Sequence, residues 1–221
     1  MTLPDRRARH RASLRQEILD AASKLLVEEG YERVTMRRIA ASIEYSPTTI
    51  YLHFKDKDEL VLAICEETFA QLAAKVEVLK TAPGSPLTRL REVLRAYIEF
   101  GLKHPSHYAV TFLQAQKTKR KRQFEGSIAA RAFGALRECV AASVKNGDIS
   151  TGSVDTTAQV LWASIHGLTA LLITDKGFPL VPRQALVDHT LDTLIAGLKT
   201  PAPAPPRPRP PQQSKPFSFM D

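Results

Sequence analysis

Apolar residues recur at helical spacing along most of the chain, in segments separated by helix-capping residues and by Pro or Gly. The predicted helix starts are Ser13, Thr35, Ser46, Asp56, Ser85 and Ser153. The predicted stops are Gly30, Pro83-Gly84, His104-Pro105 and Asn146-Gly147. This pattern predicts an all-α protein of about nine helices, with a small three-helix amino-terminal domain and a larger helical domain after it.

The stretch from Thr35 to Lys57 predicts two short helices that meet at a tight turn. The Thr35 hydroxyl caps the first helix, and Ser46-Pro47 opens the second, because Ser accepts a free N–H and Pro lacks one. Asp56, with Glu59 three residues later, then starts a further helix. Two small helices joined in this way indicate a helix-turn-helix.

Polar groups on this predicted motif suit DNA. The side chains offer hydroxyls, a phenol, an imidazole and cations, with no acidic group among them, and Lys beside a helix start adds charge to free N–H donors. The alternative interpretation is a solvated polar face on an ordinary helical hairpin. The candidate DNA-binding residues are Thr35, Arg37, Ser46, Pro47, Thr48, Thr49, Tyr51, His53, Lys55 and Lys57.

The segments Gly30-Tyr31, Val34–Ala40 and Thr49–Leu60 resemble the amino-terminal signature of the tetracycline-repressor family of transcriptional regulators. The resemblance implies a DNA-binding regulator with a second domain for small molecules. One departure lies in the turn, where the family usually has Gly and this chain has Glu44-Tyr45. A positive φ at that position costs a residue other than Gly roughly 1–2 kcal/mol.

Composition agrees with a polyanionic partner. The 221 residues carry a formal net charge of +8, although such a charge can equally serve solubility. Cys65 and Cys139 fall in apolar helical patterns far apart, which favours buried thiols in a reducing cytoplasm. The longest apolar run, residues 160–173, is interrupted by polar residues and Gly, so we expect neither a membrane span nor secretion.

Changes in composition predict four regions. Residues 1–12 form an Arg-rich flexible arm, either a contact with the minor groove or phosphates or a solvated tail. Residues 13–58 form the helix-turn-helix domain, and residues 59–199 form a ligand-binding and dimerisation domain. Within the latter, Lys117–Arg122 is a basic block, either a solvated loop or an auxiliary nucleic-acid contact. Residues 200–221 are Pro-rich and predicted to be disordered.

A long helix from Asp56 to Leu79 joins the two predicted domains, which makes it the natural element for transmitting movement. The segment Trp162-x-x-x-His166-Gly167 resembles a signature of one subgroup of regulatory domains in this family. Under this interpretation, Gly167 permits the close approach of another helix. The alternative is a core Trp stacked one turn away from a His.

The second domain supplies candidates for a cavity and for a dimer interface. If the family pattern holds, aromatic residues line the cavity, and many aromatics with few charges favour a flat or apolar compound. The candidate cavity residues are Tyr97, Phe100, Tyr108, Phe112, Phe133, Trp162 and His166. The last two helices are interpreted as the interface pair, through Leu161, Ile165, Leu168, Leu172, Leu191, Leu194, Ile195 and Leu198.

The function predicted from these features is a ligand-responsive transcriptional regulator, with repression as the leading prediction. It would bind a palindromic operator as a homodimer and be released by a small apolar or aromatic effector. A constitutive architectural DNA-binding protein and a helical small-molecule enzyme are the alternatives. No cofactor or metal is expected, since the chain has no Gly-rich phosphate loop and His104 with His107 makes a poor metal site.

Overall fold

The computed structural model describes residues 3–114, 127–175 and 177–199, and every regular element among them is helical. The Lys117–Arg122 block and the 200–221 tail lie outside the described residues. The helices are α1 (Leu3–Glu29), α2 (Met36–Ser42), α3 (Pro47–Tyr51), α4 (Lys57–Lys80), α5 (Pro86–Lys103), α6 (Pro105–Tyr108), a π-helical segment (Ala109–Gln114), α7 (Ile128–Lys145), α8 (Val154–Thr174) and α9 (Arg183–Lys199).

Side-chain caps fix the predicted helix starts around the helix-turn-helix. The Thr35 hydroxyl accepts a hydrogen bond from the Arg38 N–H at 3.1 Å, and the Asp56 carboxylate accepts one from the Glu59 N–H at 2.7 Å. The Glu59 carboxylate in turn accepts from the Lys55 N–H at 2.8 Å. Each bond satisfies a donor that the helix itself leaves unpaired, so these boundaries are set locally by the sequence.

The first helix begins earlier than predicted. It starts at Leu3, and the residues assigned to a flexible arm continue α1 without a break. Ser13 is therefore inside the helix, and the Gln16 side chain bonds the Asp20 carboxylate at 2.9 Å. The segment is rich in Arg and Ala, which favour helices, and no Gly or Pro interrupts it between residues 5 and 13.

The turn between α2 and α3 has a positive φ at a residue other than Gly, which is the unfavourable geometry that the sequence predicted. Glu44 has a φ of 59°, the one positive value among the described residues other than Gly. The Tyr45 N–H donates to the Ala40 carbonyl at 3.0 Å and closes the turn. Glu44 therefore carries strain of roughly 1–2 kcal/mol, which the surrounding packing of α2 and α3 sustains.

Two hydrophobic cores share α4. Its first half, with Leu60, Ile64 and Cys65, belongs to the same core as α1, α2 and α3, whereas Leu72 and Val76 belong to the core that contains α5, α7, α8 and α9. The boundary predicted at residue 58 is thus not a break in packing, because the two cores meet along one continuous helix.

Gly101 allows a close approach of α5 and α8. A Cβ at this position would lie 2.4 Å from Thr169 Cγ2 and 2.9 Å from Tyr108 Cδ2. Gly167, predicted to permit close packing, is exposed and has no atom near its own Cβ position within the protomer. Gly101 therefore lets α8 and Tyr108 pack against α5. Gly167 instead leaves the exposed surface of α8 without a side chain at that position.

The short α6 and the π-helical segment connect the cores a second time. His107 Nε2 lies 3.3 Å from the Asp20 carboxylate on α1, and Val110 is buried in the amino-terminal core. Tyr108 and Phe112 face the other way into the second core. Two adjacent residues, His107 and Tyr108, thus contact different domains.

Candidate functional site

The exposed surface of α3 presents Thr48 and Tyr51, and the Tyr51 side chain is 56% exposed. Ser46 and Thr49 contribute differently. The Ser46 hydroxyl accepts from the Thr49 N–H at 3.3 Å and lies 3.0 Å from the Thr49 hydroxyl, which places both at the helix cap. Thr48 and Tyr51 are accordingly the candidate residues of α3 best placed to reach a duplex.

The remaining candidates around the motif divide into exposed and partly covered groups. Thr35, Arg37 and Lys55 are exposed, and Pro47 is half-buried beside Ser46. His53 is also half-buried, and burial, with smaller contributions from Arg11 and Arg15, lowers its pKa. A neutral imidazole at pH 7 offers DNA a hydrogen bond but no charge.

Lys57 does not lie free on the DNA side as the sequence predicted. Its ammonium donates to the carbonyls of Tyr31 at 2.5 Å and Val34 at 2.9 Å, and it lies 4.0 Å from the centre of the Tyr31 ring. The Tyr31 hydroxyl in turn bonds the Asp58 carboxylate. Lys57 thus fastens the start of α4 to the connection between α1 and α2.

Sequence reasoning did not identify Leu52 as a DNA contact, and it left Tyr45 available either to DNA or to packing. Leu52 is 70% exposed directly after α3, and Tyr45 is 37% exposed in the turn before it. Apolar side chains can contact thymine methyl groups, and a phenol can bind phosphate. The available signal was their spacing, which places neither residue on the buried stripe of α2 or α3.

A cavity of about 650 Å³ lies in the second domain against α4. Its walls come from α4, α5, the π-helical segment, α7 and α8, and they are mostly apolar. The lining residues are Leu62, Cys65, Glu66, Phe69, Leu72, Val76, Val93, Tyr97, Thr111, Phe112, Ser127, Ile128, Ala129, Ala132, Phe133, Leu136, Gln159, Trp162 and Ile165. The volume is typical of a small-molecule site.

Three side chains form a hydrogen-bonded group at the wall of this cavity, where Tyr97 lines it and Tyr108 and His166 lie behind. His166 Nδ1 lies 2.6 Å from the Tyr108 hydroxyl and 3.1 Å from the Tyr97 hydroxyl, and the two hydroxyls are 3.2 Å apart. Burial lowers the pKa of His166 and raises the pKa of Tyr108 to about 12. All three groups are therefore neutral near pH 7, so this part of the cavity wall is polar but uncharged.

Four of the seven predicted cavity residues line the cavity: Tyr97, Phe112, Phe133 and Trp162. Tyr108 and His166 stand directly behind them, with the Trp162 and His166 rings stacked at 5.4 Å. Phe100 was wrongly placed. It faces a smaller cleft between α1, α4 and α5, its ring 5.1 Å from that of His104.

That smaller cleft also contains His107 and Asp20. In the part of the chain that the structure describes, no three or more His, Cys, Asp or Glu side chains are grouped to hold a metal ion.

Half of the predicted dimer-interface residues are buried within the protomer. Leu161, Ile165, Leu191 and Ile195 belong to the second core, and Leu168, Leu172, Leu194 and Leu198 are half-buried at its edge. α8 is apolar on nearly every side, so its sequence alone does not show which stripe faces inward. The stripe left outside, here called the outer face of α8, consists of Val160, Ala163, Gly167 and Leu171.

Comparison with known proteins identifies both halves of the chain. Residues 18–64 match the model of "Bacterial regulatory proteins, tetR family", and residues 90–196 match that of a "Tetracyclin repressor-like, C-terminal domain". The chain belongs to the TetR family of bacterial regulatory proteins. It is therefore a DNA-binding transcriptional regulator and not an enzyme.

Individual TetR-family relatives match over different lengths. The transcriptional repressor Rv1474c of Mycobacterium tuberculosis is 40% identical over 65 residues, which span 29% of this chain but only 35% of that protein. The fatty acid metabolism regulator protein of Bacillus subtilis is 23% identical over 185 residues, 82% of this chain and 94% of the relative.

The structure of Bacillus subtilis FadR in complex with stearoyl-CoA superposes with a TM-score of 0.71 at 22% identity, over 82% of this chain and 98% of that one. This likeness confirms the predicted all-α fold. The predicted function, a ligand-responsive transcriptional repressor, is confirmed at the level of the family, and nothing favours the architectural alternative.

The contacts of Lys57 predict a stabilising role that Lys55 lacks. Lys57→Met keeps the aliphatic stem but leaves two carbonyls without their charged donor, so we expect the free energy of unfolding to fall by about 1.5–3 kcal/mol. Lys55→Met, at an exposed position, is the matched control and should leave it unchanged. Urea denaturation measures both variants. Unchanged stability for Lys57→Met, together with a salt slope of DNA binding reduced by about one, would instead make Lys57 a phosphate contact.

Proposed function

We propose that this regulator is a homodimeric repressor that binds a palindromic operator and releases it when an apolar effector fills the cavity in the second domain. The observation that carries the proposal is the position of the cavity. Cys65, Phe69 and Val76 of α4 line it, and the same helix enters the amino-terminal core through Leu60 and Ile64. The division into domains 13–58 and 59–199 is part of this proposal.

On the DNA side, Thr48 and Tyr51 would approach base edges and phosphates, with Arg37 and Lys55 on phosphates. One α3 of five residues reads few base pairs. Two copies related by a two-fold axis double the site, and their half-sites on one face of B-DNA lie ~34–36 Å apart. A palindromic operator follows from this symmetry.

The cavity walls favour an effector with an apolar body. Glu66 is the one acidic group among the lining residues, and Tyr97, which lines the cavity and bonds Tyr108 and His166 behind it, offers a neutral hydroxyl. A similar fold binds stearoyl-CoA in FadR, so a long acyl chain is a suitable first candidate. The stacked Trp162 and His166 also support the Trp-x-x-x-His-Gly subgroup proposed for the second domain.

The outer face of α8 supports the homodimer. By length and composition α8 is apolar enough to cross a membrane, and only 33% of its most apolar stretch is buried inside the protomer. Most of this apolar helix is therefore left uncovered. DNA-binding regulators of this family are soluble, so another protein surface is the appropriate cover. The exposed Gly167 and Ala163 would let a second α8 approach closely. A cytoplasmic location belongs to the same proposal.

Trp162→Ala should weaken the response to the effector while operator binding persists. The substitution removes one cavity wall and the stacking on His166, but Trp162 lies far along the chain from the DNA-binding residues. With an operator selected from random DNA and stearoyl-CoA as the probe, we expect half-maximal release to need about 5–150-fold more probe. Fluorescence anisotropy of labelled operator measures this.

Phe178→Ala is the control for that experiment, because Phe178 is a large exposed aromatic that does not line the cavity. It should respond as the wild type does. Equal release of the Trp162→Ala variant and the wild type would show that Trp162 has only a packing role.

Ala163→Arg should disrupt the dimer without disturbing the protomer, since Ala163 is exposed in the centre of the outer face of α8. An unpaired charge in an apolar interface costs several kcal/mol. Ala74→Arg, on the exposed side of α4, is the matched control and should remain dimeric. Sedimentation equilibrium distinguishes the two variants. A dimeric Ala163→Arg protein would place the interface on another surface.

A further inference from the structure

The amino-terminal part of α1 extends beyond the core it serves. Residues 6–13 are all exposed, and the buried residue that follows them is Leu14. We call residues 3–13 the α1 extension. Its exposed part projects ~12 Å from the domain at 1.5 Å per residue. The sequence places four Arg in it, at positions 6, 7, 9 and 11.

Two of these arginines continue the core-facing side of α1. Arg7 and Arg11 lie seven residues before Leu14 and Ile18, which are both buried. Seven residues make almost two full helical turns, so each Arg projects within about 20° of its buried counterpart. We call Arg7 and Arg11 the arginine stripe. The stripe therefore continues, past the edge of the amino-terminal core, the side of α1 that is buried in that core.

Neighbouring contacts place this side of α1 beside the end of α3. The Arg15 guanidinium lies over the Phe54 ring at 5.2 Å from its centre, and it pairs with Glu67 at 3.5 Å. Arg11 and Arg15 are also close enough to His53 to contribute to the lowering of its pKa. His53 and Phe54 follow α3 after a single residue, Leu52, so the arginine stripe begins where the proposed DNA-binding surface ends.

The charges of the α1 extension are unfavourable in the isolated protein. Cations near the amino end of a helix oppose its dipole, and a single exposed helical segment gains little from packing. A polyanion beside the stripe offsets the unfavourable charges and gives the segment a surface to bind. An α-helix with side chains is about 10–12 Å wide, whereas the minor groove of B-DNA is about 6 Å wide. The helical form therefore suits the phosphate backbone and not entry into that groove.

We propose that the arginine stripe of the α1 extension binds operator phosphates that flank the half-site contacted by α3, and that it does so as a continuous helix. This inference rests on the proposed function, since it requires an operator. It adds a phosphate contact on each protomer outside the helix-turn-helix, which lengthens the DNA site.

The arginine stripe predicts a specific salt dependence. Arg7→Gln/Arg11→Gln should lower the slope of log affinity against log salt by about 1.8 per protomer, at ~0.9 per phosphate contact, without changing base preference. Arg6→Gln/Arg9→Gln removes the same charge from the other sides of the extension and is the matched control. It should change the slope by less than half as much. Equal slopes for the two double variants would overturn the assignment to the stripe.

A helix-breaking variant tests the continuous helix. Ala12→Pro keeps every Arg but breaks the helix between the arginine stripe and the rest of α1, so it should weaken operator binding nearly as much as the Arg7→Gln/Arg11→Gln variant. Wild-type affinity for Ala12→Pro would mean that the arginines act from a flexible segment, which contradicts the proposal. Trimming the flanking base pairs from the operator should abolish the difference between the wild type and the Arg7→Gln/Arg11→Gln variant.

Failure of this inference is distinguishable from failure of the proposed function. If the wild-type protein selects no sequence from random DNA, the operator-binding function itself is refuted. If it selects an operator but the Arg7→Gln/Arg11→Gln variant keeps the wild-type slope, only the role of the α1 extension is refuted.

Discussion

The structure depends on one uninterrupted helix that belongs to two hydrophobic cores. Leu60 and Ile64 of α4 are fully buried with the helix-turn-helix, while Leu72 and Val76 are buried two to four turns later in the second domain. A helix transmits displacement along its length, because its backbone hydrogen bonds and close-packed side chains resist local deformation. A shift of α4 at the cavity wall therefore moves the start of α4 as well, where Lys57 is fastened to the carbonyls of Tyr31 and Val34.

The short α6 supplies a second connection with a different chemistry. His107 lies against Asp20 of α1, and Tyr108 bonds His166 behind the cavity wall. The Tyr108 ring also packs 4.7 Å from Phe112, which lines the cavity from the π-helical segment. π-helical turns are rare and often occur at functional sites. An effector that displaces Phe112 or competes for the Tyr97 hydroxyl would thus act on α1 and α4 together.

Local features of the sequence predicted most of the helices. Caps such as Thr35 and Asp56 satisfy neighbouring N–H groups, and Gly30 and Gly147 take positive φ at helix ends, so these boundaries need no tertiary information. The strained turn at Glu44 was also predictable, because a missing Gly is visible in the sequence.

Tertiary arrangement decided what the sequence could not. In sequence, Leu161 and Leu191 are apolar residues at helical spacing, as interface residues would be, yet both pack inside the protomer. Lys57 has the charge of a phosphate contact, but two carbonyls far earlier in the chain hold its ammonium. The α1 extension was missed for a different reason. Charge density suggested a flexible arm, whereas the helix propensity of Arg and Ala continues α1 to Leu3.

We propose that the effector releases the operator because filling the cavity changes the separation of the two DNA-binding surfaces in the dimer. A spin label on Ala41→Cys, an exposed position of α2, reports that separation, since both native cysteines are buried. Pulsed electron paramagnetic resonance should give one distance for the operator-bound dimer and a distance several ångströms different with stearoyl-CoA bound. If stearoyl-CoA releases the protein from DNA but leaves this distance unchanged, a change in separation is not the cause of release.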